Sequence, residues 1–165
     1  MKRMKINQIK GLAYGTLLIA TLSVMLAATA SVWLQKTRER AEAWQAAEIR
    51  CLAENVYFES RGEPLVGQYA VAEVTMNRVV SADFPNSVCE VVNQTGAFSW
   101  TYSTSLTPPY GFEWRRARAV ASSVYLNAEA QLVQGALFYH ATYVSPDWAA
   151  SRRQVALIGR HLFYL

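Results

Sequence analysis

From Gly11 to Leu34 the chain reads GLAYGTLLIATLSVMLAATASVWL, 24 positions without a charged residue. As a helix rising 1.5 Å per residue this is about 36 Å, longer than a hydrocarbon core of roughly 30 Å. The pattern predicts a transmembrane helix over 11–34 behind a short basic segment, 1–10. Residues 35–50, QKTRERAEAWQAAEIR, mix charges with alanine and lack Gly and Pro, which predicts a helical stalk. Leu52 and Val56, joined by Ala53 and Tyr57, keep a helical spacing up to Arg61-Gly62. There Gly62 is expected to stop the helix with a positive φ, and Pro64 opposes continuation. Val66 to Val80 predicts a second helix with Ala70, Val71, Val74 and Asn77 on one face, ended by SADFPNS. Residues 88–109 change character, with a short helix or strand, Gly96, β-prone aromatics and a double proline, so an irregular or hairpin segment is expected. Helical spacing returns through Trp114, Ala117, Val120, Ala121 and Val124 in the stretch 113–131. GALFYHATYVSPDW and QVALIGRHLFYL then suggest short strands or turns.

Charge changes the picture only at the amino end. The formal net charge is +4, and Lys2, Arg3, Lys5 and Lys10 precede every acidic residue. The remaining 12 Lys and Arg are matched by 12 Asp and Glu, so no basic stripe is left to track a phosphate backbone, and nucleic acid is excluded as a partner class. The same asymmetry puts the N-terminus in the cytoplasm and everything after Leu34 outside, at the inner or cytoplasmic membrane. A cleaved signal peptide is the alternative, because Ala28-Thr29-Ala30 has the small-x-small form of a cleavage site. Half of the 11–34 segment is Gly, Ala, Ser or Thr, a composition that resembles the signal-anchor-release segments of some phage endolysins.

Cys51 and Cys89 both fall in the part expected outside, where oxidising conditions permit pairing. A bridge closing about 38 residues would contribute roughly 4 kcal/mol in the chain-entropy model. Two unpaired cysteines, buried as small apolar residues, are the other reading. With no CxxC and no His/Cys cluster, neither a structural zinc nor another cofactor is expected.

The chemistry concentrates in LAENVYFESRGEP, residues 52–64. Glu59 falls in the last turn of a helix, where the macrodipole and unpaired carbonyls disfavour a carboxylate, and burial beside Tyr57 and Phe58 acts the same way. A glutamate held protonated near neutral pH can protonate a leaving oxygen, as glycosidic cleavage requires. By spacing alone, a Glu followed four residues later by another more often marks a solvated face or a salt bridge to an arginine such as Arg61.

The segments YFESRGEPLVGQYAVAEVTMNRV (57–79), FPNSVCEVVNQTGAFSW (84–100), ALFYHATYVSPDWA (136–149) and IGRHLFY (158–164) resemble, in order, the SleB-type cell wall hydrolase family. The resemblance covers nearly all of residues 51–165. It implies a mainly α domain with a small β or irregular segment, lysozyme-superfamily-like and acting on peptidoglycan, here preceded by one transmembrane helix. It also implies that Glu59 is the catalytic acid. Glu63 is then a supporting carboxylate, holding Arg61 or capping the helix after Pro64. Aromatic and hydroxyl side chains suit a sugar, whose ring stacks while its hydroxyls hydrogen-bond. Phe98, Ser99, Tyr139, His140 and Trp148 are therefore the substrate-binding candidates; Phe98 could instead be core, and His140 a satisfied core histidine. His161 is expected to be structural.

Hydrolysis needs a second carboxylate, either to activate water or to act as nucleophile, and Glu63 is the only nearby candidate. A lytic transglycosylase needs one: the same glutamate protonates the glycosidic oxygen and then deprotonates the C6 hydroxyl that attacks C1. Lytic transglycosylation is the expected reaction, in wall remodelling or phage lysis. Muramidase or glucosaminidase hydrolysis, amide cleavage, and a non-catalytic wall-binding protein of the same fold are the alternatives.

Overall fold

The structure, a computed structural model, describes residues 2–103, 106–126 and 131–165, with side chains from residue 21 onward. The chain divides into two compact units, Met1–Trp44 and Gln45–Leu165. Helix α1 runs Lys2–Ser60 and belongs to both.

In the first unit Leu22, Val24, Met25, Leu26, Val32, Trp33 and Leu34 are all exposed. The hydroxyls of Thr29, Ser31 and Thr37 donate to carbonyls three residues back, which hides polar groups on the helix's own backbone. Among the described residues no helix is long and apolar enough to cross a membrane. The predicted span 11–34 therefore does not emerge from them. Residues 11–20 lie outside those with described side chains, and the 14 uncharged residues from Thr21 to Leu34 cover only about 21 Å before the charges begin.

The second unit packs the end of α1 with α2 (Leu65–Val80), α3 (Val88–Asn93), α4 (Gly111–Leu126) and a small antiparallel sheet, as the expected mainly α class requires. The sheet joins β1 (Phe138–Ala141), β2 (Gln154–Ile158) and β3 (His161–Tyr164) in the order β1-β3-β2. Helix α2 is buried on two sides. Ala72 packs with Leu52, Ala53 and Val56 of α1 and with Ala117, Val120 and Ala121 of α4. Ala70 and Val74 pack with Val133, Ala136 and Phe163 under the sheet.

The turn between α1 and α2 works differently from the expectation. Gly62 is not among the positive-φ glycines. The helix instead tightens, with Arg61 N–H donating to Tyr57 at 3.3 Å and Glu63 N–H to Ser60 at 2.9 Å, and Pro64 opens α2 without a side-chain cap. Glu63 does not cap α2 and does not hold Arg61, whose guanidinium lies 4.9 Å from the Tyr57 ring centroid. The Glu63 carboxylate crosses to the far end of the chain, accepting from Arg160 N–H at 2.8 Å and Arg160 Nε at 2.7 Å.

Of the stretch 88–109, residues 104 and 105 lie outside the described residues; over the rest the irregular reading holds and no hairpin forms. Ser87 caps α3, Gly96 turns at φ +83°, and Ser99–Tyr102 form a single 3-10 turn. Cys51 and Cys89 are bonded, with Cα atoms 5.2 Å apart. Glu48 reinforces that joint by accepting the Val88 N–H at 2.6 Å and the Cys89 N–H at 3.4 Å, so α3 is fastened to α1 by a covalent bond and a cap. The predicted third helix starts at Gly111 and is described to Leu126; residues 127–130 of that prediction lie outside the described residues.

Candidate active site

Glu59 sits one residue before the end of α1, half-buried. Its Oε2 accepts the Tyr139 hydroxyl from β1 at 3.0 Å. Burial pushes the Glu59 carboxyl above its ordinary pKa, while the Tyr139 hydrogen bond and the charge of Arg78 pull it back without cancelling the rise. Burial, and secondarily the Glu59 charge, hold the Tyr139 pKa well above its ordinary value, so this hydroxyl stays a donor. No second carboxylate among the described residues contributes to the Glu59 shift.

Tyr139 and Arg78 both line a groove of about 460 Å³, together with Gln94–Ala97 and with Phe84, Phe138, Trp148 and Arg152. The Arg152 guanidinium lies 3.4 Å from the centroid of the Phe138 ring and 5.9 Å from that of Trp148. Aromatic faces beside cationic donors make a surface suited to a sugar ring.

The substrate-binding candidates separate on this geometry. Tyr139 and Trp148 line the groove. Phe98 does not: at 4 % exposure it is a core residue packed with Leu52, Val56 and Val92, which corrects its reading as a stacking platform. Ser99 is exposed at the start of the 3-10 turn and is not part of the groove lining. His140 is the satisfied histidine. Its Nδ1–H donates to the Ala141 carbonyl at 3.0 Å, its Nε2 accepts the Tyr164 hydroxyl at 2.9 Å, and its ring stacks on Tyr164. Arg61 is exposed and takes no part in the Glu59 network.

Glu63 is buried, yet its carboxyl lies below the ordinary value. Burial alone would raise it, and the two Arg160 hydrogen bonds, with the charges of His161 and Arg160, outweigh that. His161 is buried with its pKa lowered by burial, and the Tyr139 ring meets it edge-on at 5.3 Å. Gly159, at φ +59°, makes the approach possible, because a Cβ there would run into the Glu63 carboxylate and Pro64.

Sequence reasoning missed Arg78 and Asn55. Arg78 follows Val71 and Val74 at i+7 and i+4 on the apolar face of α2, a charge where the pattern calls for an apolar residue, and that was the available signal. Asn55 is fully buried in α1, donating to Thr75 Oγ1 at 3.1 Å and accepting from Trp100 Nε1 at 3.1 Å. Trp100 in turn stacks on Phe58 at 4.6 Å, which ties the 3-10 turn following Gln94–Ala97 to the last turn of α1, where Glu59 sits.

A half-buried acid at a helix end, held by a tyrosine from the sheet beside an aromatic groove, is an arrangement able to protonate a leaving oxygen. Residues 62–164 match the cell wall hydrolase family, and the chain belongs to it. The match begins three residues after Glu59, so the case for that residue rests on its geometry. The chain is 35% identical over 118 residues to the spore cortex-lytic enzyme of Bacillus cereus, covering 70% of this chain and 43% of that protein. It is 37% identical over 116 residues to the spore cortex-lytic enzyme of Bacillus subtilis, covering 70% and 37%. It thus spans about two fifths of the length of these relatives. Among solved structures it is similar to the catalytic domain of the Bacillus cereus SleB protein, with TM-score 0.60, 35% identity, and coverage of 72% of this chain and 89% of that one. The catalytic domain of the germination-specific lytic transglycosylase SleB from Bacillus anthracis gives TM-score 0.58 and 32% identity, with coverage of 72% and 93%.

Proposed function

We propose that this protein is a lytic transglycosylase that cleaves peptidoglycan glycan strands, with Glu59 as its single catalytic carboxylate. The observation that carries the proposal is the isolation of a raised-pKa glutamate. Burial favours the protonated form of Glu59, its Oε2 accepts from Tyr139, and among the described residues no carboxylate is one of the groups that move its pKa. A nucleophile roughly 5–5.5 Å away, as in a retaining hydrolase, would act on Glu59 as a like charge. Glu63, four residues on, is committed to Arg160, and Glu54, five residues back, is paired with Arg50. Glu59 therefore gives its proton to the glycosidic oxygen, the C1–O bond breaks, and the resulting carboxylate takes the proton from the C6 hydroxyl as that oxygen bonds to C1. The Tyr139 hydroxyl and Arg78 favour the transient carboxylate. The similarity to the catalytic domain of a lytic transglycosylase supports the same reading.

The basic start and uncharged 11–34 segment support a tether to the inner or cytoplasmic membrane, amino end inside and domain outside, in wall remodelling or phage lysis. Protease added to spheroplasts then digests the domain; protection would refute this topology. For the activity, a murein zymogram of the full chain gives a clearing band that Glu59→Gln abolishes. No clearing from the folded wild-type protein would point to a wall-binding protein instead.

A further inference from the structure

Arg78 has one feature that packing does not explain. It is 7 % exposed, and its Nε donates to the Leu137 carbonyl at 2.8 Å. Its guanidinium carbon lies 5.2 Å from the Phe84 ring centroid and 5.1 Å from that of Phe98. These contacts hold the base of the fork and set two aromatic rings against it, but Nη1 is buried without a hydrogen-bond partner. Leaving a buried charged donor unmade costs more than a neutral one, so such groups are normally met by an acceptor. Arg78 also lines the groove beside Tyr139, the residue that holds Glu59.

We propose that Arg78 is a substrate-binding residue whose guanidinium receives the carbonyl oxygen of a sugar acetamido group in the groove beside Glu59. The inference rests on the glycan-cleaving reading and specifies which substrate group the site recognises. The acceptor must be an oxygen, because a guanidinium has donors only. It must be neutral, since an anion there would lie near the carboxylate that Glu59 becomes once it has given up its proton, and would oppose that step. It must also carry apolar surface, because the group beside the guanidinium on the groove is the Phe84 ring. An acetamido group meets all three conditions with its carbonyl and methyl. A sugar hydroxyl lacks the apolar part.

The test uses two neutral β-1,4-linked tetrasaccharides that differ only at C2, chitotetraose with acetamido groups and cellotetraose with hydroxyls. Binding is measured by calorimetry on the full chain carrying Glu59→Gln, so no cleavage intervenes. Chitotetraose is expected to bind at least 10-fold more tightly than cellotetraose. Arg78→Met, which keeps an unbranched apolar stem, is expected to lose about 10-fold on chitotetraose, the scale of one hydrogen bond from a charged donor, with cellotetraose unchanged. Arg78→Lys, which keeps the charge but not the fork, is expected to fall between the two, with the circular-dichroism melting curve of each variant confirming the fold. Equal binding of the two sugars by the parent protein overturns the proposal. So does an Arg78→Met variant that still prefers chitotetraose, or one that loses both sugars equally. Failure of the glycan-cleaving reading is seen separately, as an absence of murein products from the chain with Glu59 intact.

Discussion

Glu63→Gln separates a brace from a second catalytic carboxylate. The Glu63 carboxylate accepts two hydrogen bonds from one residue 97 positions away, Arg160 N–H at 2.8 Å and Nε at 2.7 Å. Glutamine can offer its oxygen to one donor, but its NH2 group then faces the other. A hydrogen bond to a charged acceptor contributes about 1.5–3 kcal/mol, and one of the two is lost. The ionic part adds little, because the Arg160 side chain is 65% exposed and its charge is screened. The expected loss is about 2 kcal/mol at pH 7, or roughly 4–8 °C in melting temperature for a chain of this size. Because the folded-state pKa of Glu63 is lowered, the stabilisation is complete above the unfolded value near 4.5 and disappears as pH falls through the lower folded value. Melting curves of the wild-type and variant proteins, followed by circular dichroism, should differ at pH 7 and converge in acid. Equal stability at pH 7, or a gap that persists in acid, would refute the reasoning. Zymogram activity below the melting point should survive in the variant; abolition of activity in a folded protein would make Glu63 part of the chemistry.

Other outcomes follow from the same geometry. Tyr139→Phe removes the hydrogen bond that lowers the Glu59 pKa, so the alkaline limb of the pH–activity profile should move to higher pH; a shift downward would contradict the assignment of Glu59 as the acid. Gly159→Ala forces a side chain into the left-handed region at φ +59° and against Glu63, and urea unfolding should show a loss of about 2–5 kcal/mol. Replacing Cys51 and Cys89 together by serine releases a closure of 38 residues and should cost about 4 kcal/mol, with reductant producing the same shift in the wild-type protein and none in the variant.

Much of this arrangement was legible in local patterns. The helix stop at Arg61-Gly62, the placement of Glu59 in the last turn and the α2 span all follow from periodicity and from Pro64, which act within a few residues. The partner of Glu63 was not legible, because no local signal links residue 63 to residue 160 and Arg61 was the nearer cation. The positive φ was placed at Gly62 when it belongs to Gly159 on the other side of the same contact. Phe98 and His140 show the limit of composition: an aromatic beside a serine and a histidine beside a tyrosine look alike whether they face a ligand or the interior. Only packing distinguishes Phe98, buried in the core, from Trp148 on the groove.

The central claim is that one glutamate performs both proton transfers. Mass spectrometry of the muropeptides released from purified murein tests it most directly. The wild-type protein should give products ending in 1,6-anhydro sugars, lighter by one water than hydrolytic products and lacking reducible ends, and Glu59→Gln should give none. Reducible ends from the wild-type protein would contradict the account, because they require water rather than the C6 hydroxyl as the nucleophile at C1.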